Sequence, residues 1–312
     1  RMGPDAYQAV RKLCKPLCRI RRNTSINMAD TSDYNQYDIR PDVLNYDDIR
    51  QLVPRLDGHE KLVNWLLHFL SVDEVNAVHG RSCDTPGPKF VKRMLIDDFK
   101  IKLRVDNEDI LARFKEGPFI TVSNHPLGAL DGIALIYLVT RYRPEYKVMV
   151  NMILNKISAM RPNFIAVDAW ASNDPDKRAV SVNGIRQAIK QLRDGKPMGF
   201  FPAGAMSKST LFHGIQDRPW QLSVLQIIAR AKVPVIPIYF HDRNSWWCDF
   251  LGHACWPARS LRLPAEVFRK RGKTLHISIG EPISPEVQVQ YADAEQLGAF
   301  LRQKTYELKK YK

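Results

Sequence analysis

The 312-residue chain carries 47 Lys and Arg against 33 Asp and Glu, a formal charge of +14, with 45% hydrophobic and 26% charged residues. That balance excludes a disordered or collagen-like polymer and supports a sizeable core in one large or two modest domains. The longest run without a charged side chain, residues 117–130, contains Pro, Asn and Gly and is shorter than the ~20 apolar residues of a bilayer-spanning helix.

Along the chain, residues 1–27 hold a net +6, residues 28–58 turn acidic at −4, and residues 59–312 carry +12. The first block reads either as a functional basic arm or as a leader outside the native fold, and it lacks the continuous apolar run of a signal peptide. A body that stays basic without it favours a polyanionic partner: nucleic acid, an anionic lipid surface, coenzyme A or an acidic carrier protein. From Tyr46 onward Ile49, Leu52, Val53, Leu56, Leu62, Trp65, Leu66, Phe69 and Leu70 recur at helical steps, broken at Pro54 and Asp57-Gly58. We expect two short amphipathic helices whose apolar faces rest on the body or on a lipid surface. A further amphipathic stretch follows Pro86-Gly87-Pro88, making residues 28–94 a helical N-terminal segment.

Beyond it, strands are predicted at 118–123, 147–150, 164–167, 198–201, 235–240 and 274–279. Helices are predicted at 132–140, at 178–193 with Gly195 as its stop, at 219–231, and from about Ala292. This alternation predicts an α/β domain over 95–312, a largely parallel mixed sheet flanked by helices. Pro234 and Pro237 place their strand at a sheet edge or a strand start. Cys14, Cys18, Cys83, Cys248 and Cys255 are an odd set without paired CxxC motifs, and we read them as reduced cytosolic thiols.

The most informative segment ends an apolar strand at Asn124-His125, turns through Pro and Gly, and sets Asp131 where the next helix begins. Sites form at such junctions, beyond the carboxyl ends of strands in open α/β sheets. A carboxylate folding back onto one imidazole nitrogen fixes the tautomer and frees the other nitrogen as a base. Equally, Asp131 can simply cap the helix in a satisfied polar turn. His59, His68, His79, His213, His241, His253 and His276 lack a comparable setting and are read as structural or surface residues. A second apolar strand runs into the turn Phe201-Pro-Ala-Gly-Ala-Met-Ser207, whose amides can face an anion or an oxyanion.

These segments, in this order, resemble the glycerolipid acyltransferase superfamily, which includes lysophosphatidic acid acyltransferases and the O-acyltransferases of ornithine and glycine lipids. Asn124, His125 and Asp131 match its first block, residues 163–168 approximate the second, residues 201–207 the third and residues 233–237 the fourth. The resemblance covers about residues 95–285 and implies a glycerolipid acyltransferase-like fold. It implies that His125 and Asp131 are catalytic and that Asn124, Phe201, Pro202, Gly204, Ser207 and Lys208 bind substrate. It further implies no metal and no bound cofactor, acyl carrier protein or CoA thioester as co-substrate, a lyso-lipid acceptor, and a cytoplasmic enzyme peripheral to the inner membrane face. His125 would take the acceptor's hydroxyl proton as that oxygen attacks the thioester, with oxyanion donors near Gly204 or Gly132.

Two departures from the family pattern stand out. Five residues, not four, separate His125 from Asp131, and Ala203 and Met206 replace the Glu and Arg of the third block. Loss of a bidentate Arg disfavours a phosphate-bearing acceptor and favours an amino-acid headgroup. The competing readings are a lysophosphatidic acid acyltransferase using Lys208 in place of that Arg, an inactive lipid-binding homologue, and a nucleic-acid-binding protein. The last lacks clustered Lys and Arg with stacking aromatics, so no nucleic acid is expected. The Trp-rich stretch 245–256 is read as a core loop, an acyl-chain lining or a membrane-interface segment.

Overall fold

The computed structural model describes residues 37–167, 175–210, 214–246, 248 and 263–310. The basic block 1–27, Asp168, most of the Trp-rich stretch, Cys14, Cys18 and Cys255 lie outside the described residues. In chain order the first helices are α1 (Tyr46–Leu52), α2 (Glu60–Phe69), α3 (Val72–Ser82) and α4 (Pro88–Lys92), the last running on through a π-helical turn at Arg93–Asp98. Next come β1 (Lys102–Asp106), α5 (Asp109–Ala112), β2 (Ile120–Ser123), α6 (Ala129–Thr140), β3 (Lys147–Asn151), β4 (Phe164–Val167), α7 (Pro175–Arg193) and β5 (Met198–Phe200). A small ribbon of β6 (Lys208–Thr210) and β7 (Gly214–Gln216) precedes α8 (Leu222–Ala231) and β8 (Val235–Phe240). The chain closes with α9 (Leu263–Arg269), β9 (Thr274–Ile279), α10 (Pro285–Gln288) and α11 (Ala294–Glu307).

Seven strands form one mixed sheet in the order β1-β9-β8-β2-β5-β3-β4. Every neighbouring pair is parallel except β8 with β9. Burial follows position in the sheet. The central strands β2, β5 and β8 are buried at every residue, as apolar strands covered on both faces must be, whereas edge strand β1 alternates. One face carries α4 and α6 with Phe90, Leu95, Leu135 and Leu138 in its core; the other carries α7, α8 and α11 with Ala188, Ile228 and Leu301.

β8 corrects the expectation drawn from its prolines. It lies inside the sheet, between β9 and β2. Pro237 pairs with Val122 on one side, and on the other the β9 ladder has already run out at Ile238 opposite Ile279. Gly280 N–H donates to Pro237 O at 2.8 Å, and the one reciprocal bond that the proline ring cannot make, to Gly280 O, falls just beyond the last registered pair of that ladder.

A few polar contacts knit the N-terminal segment together and hold it to the body. Asn76 receives the Val43 N–H at 2.8 Å and gives its own amide to Leu44 O at 2.7 Å. His79 donates from Nδ1 to Pro41 O at 3.0 Å and accepts the Ala159 N–H on Nε2 at 3.2 Å. α2 turns Val63 and Leu67 inward and leaves Leu62, Trp65 and Phe69 exposed on a second stripe. The inward face packs with Val72 in a small N-terminal core. No helix among the described residues is long and apolar enough to cross a membrane. Cys83 and Cys248 are buried.

Candidate active site

Parallel pairing brings the carboxyl ends of β2, β5 and β8 to one side of the sheet. Asn124, directly after β2, spends its side chain on the end of β8: Nδ2 donates to Phe240 O at 2.9 Å and Oδ1 accepts the Phe240 N–H at 2.7 Å. His125 is then gripped at both backbone groups. Its N–H donates to Asp217 Oδ1 at 3.1 Å, and its carbonyl accepts the Ser207 N–H at 2.8 Å.

The chain turns sharply at Gly128, whose φ of +75° is left-handed and where an added Cβ would sit 2.8 Å from Met206 Sδ. Only glycine suits both constraints. α6 starts at once, and Asp131 on its first turn accepts the Leu127 and Gly128 N–H groups on Oδ2 at 2.8 and 3.1 Å. The same Oδ2 lies 3.1 Å from His125 Nδ1. Capping and facing the imidazole are thus one arrangement, and the extra residue between His and Asp is taken up by the turn. The Nδ1 contact lies off the ring N–H direction and is a close electrostatic approach, not an aligned hydrogen bond. Asp131 is fully buried and its Oδ1 makes no hydrogen bond; burial raises its pKa on balance, against the downward pull of His125 and the two amides.

His125 keeps 19% of its side chain exposed and rests against Phe201, ring centroids 4.2 Å apart. It forms part of the wall of a cavity of about 360 Å³ bounded largely by apolar residues, among them Ile133, Met149, Leu154, Ile185, Phe200 and Ile227. Of the expected substrate-binding residues, Phe201 and Gly204 also line it. Asn124, Pro202, Ser207 and Lys208 do not. Asn124 and Ser207 are buried in support of the His125 backbone, Pro202 O accepts the Gln221 N–H at 2.8 Å, and Lys208 is exposed at the start of β6. The Gly204 N–H closes a turn on Phe201 O at 2.9 Å, so that amide is not the oxyanion donor expected there. A wider open groove of about 540 Å³ beside the end of α11 contains no histidine and is remote from this chemistry.

Asp217 escaped the sequence reading. It is buried, and besides the His125 N–H it accepts the Ser207 hydroxyl on Oδ1 at 2.5 Å and the Trp220 indole N–H on Oδ2 at 3.2 Å. Nothing local to Gln216-Asp217-Arg218 signals this, because two of its partners, His125 and Ser207, come from the first and third blocks.

An imidazole facing a buried carboxylate at the wall of a largely apolar cavity is an arrangement that can supply a base to a bound substrate. The family model described as acyltransferase matches residues 54–312, and the chain belongs to that family, within the glycerolipid acyltransferase superfamily. It is an acyltransferase. The chain is 30% identical over 230 residues to the lyso-glycine lipid O-acyltransferase of Bacteroides thetaiotaomicron, covering 71% of this chain and 80% of that protein. It is 25% identical over 254 residues to the protein of the same name from Phocaeicola vulgatus, covering 79% and 87%. Among solved structures, the 1-acyl-sn-glycerophosphate acyltransferase of Thermotoga maritima aligns with 80% of this chain and 88% of its own, at 18% identity and a TM-score of 0.48.

Proposed function

We infer that this enzyme moves a fatty acyl group from an acyl-carrier-protein or CoA thioester to the hydroxyl of a lyso-lipid with an amino-acid headgroup of the glycine-lipid kind. The observation that carries the reading is His125 at the cavity wall with the buried Asp131 carboxylate 3.1 Å behind its Nδ1. Nδ1 faces Asp131, which leaves Nε2 as the base. The acceptor oxygen attacks the thioester carbonyl while Nε2 takes its proton; as the C–O bond forms and the C–S bond breaks, that proton passes to the departing sulfur. The ionised Asp131 stabilises the intervening imidazolium, and general-base help of this kind contributes ~10²–10⁴-fold.

The acceptor class is supported by the third block. Met206 stands where the family pattern has an Arg and lies close against Gly128, an apolar corner in place of a phosphate clamp. The names of the two relatives agree with that headgroup. Leu62, Trp65 and Phe69 on α2, with Met152 and Ile153 beside the cavity residues Asn151 and Leu154, are exposed apolar side chains suited to a lipid surface. Together with the +12 body they support a peripheral enzyme on the anionic cytoplasmic face of a membrane.

The test supplies the purified chain with acyl carrier protein or CoA thioesters and with matched lyso-glycine lipid and lysophosphatidic acid. Expected is thioester-dependent acylation of the lyso-glycine lipid, reduced at least ~100-fold in His125→Ala with an unchanged melting temperature. Turnover that survives His125→Ala rejects the base; preference for lysophosphatidic acid rejects the acceptor.

A further inference from the structure

Outside the acyl-transfer site, β8, β9 and β1 gather His241, His276 and Asp106, whose ligand atoms lie within 4.8 Å of one another. Among the described residues no other group of three or more His, Cys, Asp or Glu side chains meets that spacing. The two imidazole rings stack at 4.0 Å with planes 11° apart. His276 Nε2–H donates to Asp106 Oδ2 at 2.5 Å, Ser278 Oγ–H donates to the same oxygen at 2.6 Å, and His241 Nε2–H donates to Ser278 Oγ at 2.8 Å. Both ring nitrogens therefore converge on one carboxylate corner.

The backbone fixes that convergence. The ladder registers Arg104 with His276 and Asp106 with Ser278, and the His241 N–H donates to His276 O at 3.0 Å. The His276 N–H in turn donates to Asp242 Oδ2 at 2.8 Å, with Lys270 against Asp242 at 3.4 Å. The His276 and Asp106 side chains are 16% and 21% exposed, enclosed enough to hold their positions and open enough to admit an ion.

We propose that Asp106, His241 and His276 bind a divalent transition-metal ion of the zinc type. Two imidazoles and one carboxylate are a zinc donor set, whereas calcium and magnesium take oxygen ligands. Each imidazole binds the ion through Nε2 as its neutral Nδ1–H tautomer, so a neutral ring moves its proton from Nε2 to Nδ1 through solvent and a protonated ring releases its Nε2 proton to solvent. Metal–ligand distances of ~2.0–2.1 Å at tetrahedral angles set ligand atoms roughly 3.3 Å apart, so His276 and Asp106 part by less than an ångström. Ser278 Oγ–H then serves as the outer hydrogen bond that orients the carboxylate. A fourth position stays open to water. The site braces the end of β8 against the sheet edge, one residue from the Phe240 backbone that holds Asn124 beside His125.

Tag-free full-length chain, stripped with EDTA and dialysed, is titrated with ZnCl₂ by calorimetry and with CoCl₂ by visible absorption. The expected result is saturable 1:1 Zn²⁺ binding of micromolar affinity or tighter, a higher melting temperature, and the absorption bands of four-coordinate Co²⁺. His241→Ala and His276→Ala each weaken binding at least ~100-fold, Ser278→Ala weakens it ~10–100-fold, and His125→Ala binds as the unmodified chain does. No saturable binding by the unmodified chain, which needs no substitution to measure, overturns the proposal. Binding that both histidine variants retain, or that His125→Ala loses, overturns it equally.

Discussion

His125 is positioned through its backbone as well as through Asp131. Its amide ends on Asp217 and its carbonyl on the Ser207 amide, and Asp217 in turn holds the Ser207 hydroxyl and the Trp220 indole. Asp217→Asn keeps an oxygen for the first two donors but sets an NH₂ against the Trp220 N–H, two donors facing each other in a buried place. Leaving such a group unsatisfied costs ~1–3 kcal/mol. The same change lets the strand end shift, and small displacements of a base cost up to ~100-fold in rate. Asp217→Asn is therefore expected to lower kcat about 10–100-fold with KM moved less than about 3-fold. Steady-state kinetics beside a thermal melt check this; a lowered melting temperature with kcat intact would reduce Asp217 to a purely structural residue. His125 and Asp131 were legible in the sequence because a strand end and a helix start lie six residues apart. Asp217 was not, since it sits 92 residues from the amide it holds.

At the scale of elements, the strands that could be read were those with a chemical reason to be uniform. β2, β5 and β8 are buried on both faces and read as short apolar runs between turns. β1 was missed because Lys102, Arg104 and Asp106 alternate with Leu103 and Val105 at an edge where charges are admissible, and the ribbon β6/β7 because three-residue strands carry no period. α2 is the element whose pattern has two meanings at once. Val63 and Leu67 fill the small N-terminal core, while Trp65 stacks on Phe69 at 5.6 Å on the open side. Replacing Leu62, Trp65 and Phe69 together by Gln leaves that core untouched, and exposed positions of this kind shift stability by only about 0.5 kcal/mol each. Flotation with anionic vesicles should show at least ~10-fold weaker association, and added salt should weaken the remainder by screening the basic body. Vesicle binding unaltered by the triple change would remove α2 from the membrane-facing surface.

For the whole molecule, the seam between the N-terminal helices and the α/β body turns on a protonation state. His79 is buried at 1% exposure and is held neutral, its Nδ1–H on Pro41 O and its Nε2 accepting from Ala159. Burial, reinforced by the nearby Arg40 and Arg161 charges and opposed by the Pro41 carbonyl, pushes its pKa down to about 4. A histidine with its folded value below the ordinary 6.5 favours the folded state fully above pH 6.5 and loses that contribution as pH falls toward 4. Protonation also turns Nε2 into a donor pointed at the Ala159 N–H, so the seam loses a bond as it gains a buried charge. Urea unfolding of the unmodified chain and of His79→Gln at pH 7.5, 5.5 and 4.5 isolates this residue, because all other titrations are shared. The stability advantage of the unmodified chain should shrink by roughly 2–3 kcal/mol between pH 7.5 and 4.5. An advantage that stays constant across that range would mean the seam is held without His79, by contacts such as Lys156 Nζ to the Asp48 carboxylate at 2.8 Å, and acid would then act on the body first. Loss of the advantage, by contrast, predicts that mild acid frees the helices bearing the exposed Trp65 and Phe69 before the sheet that carries His125 gives way.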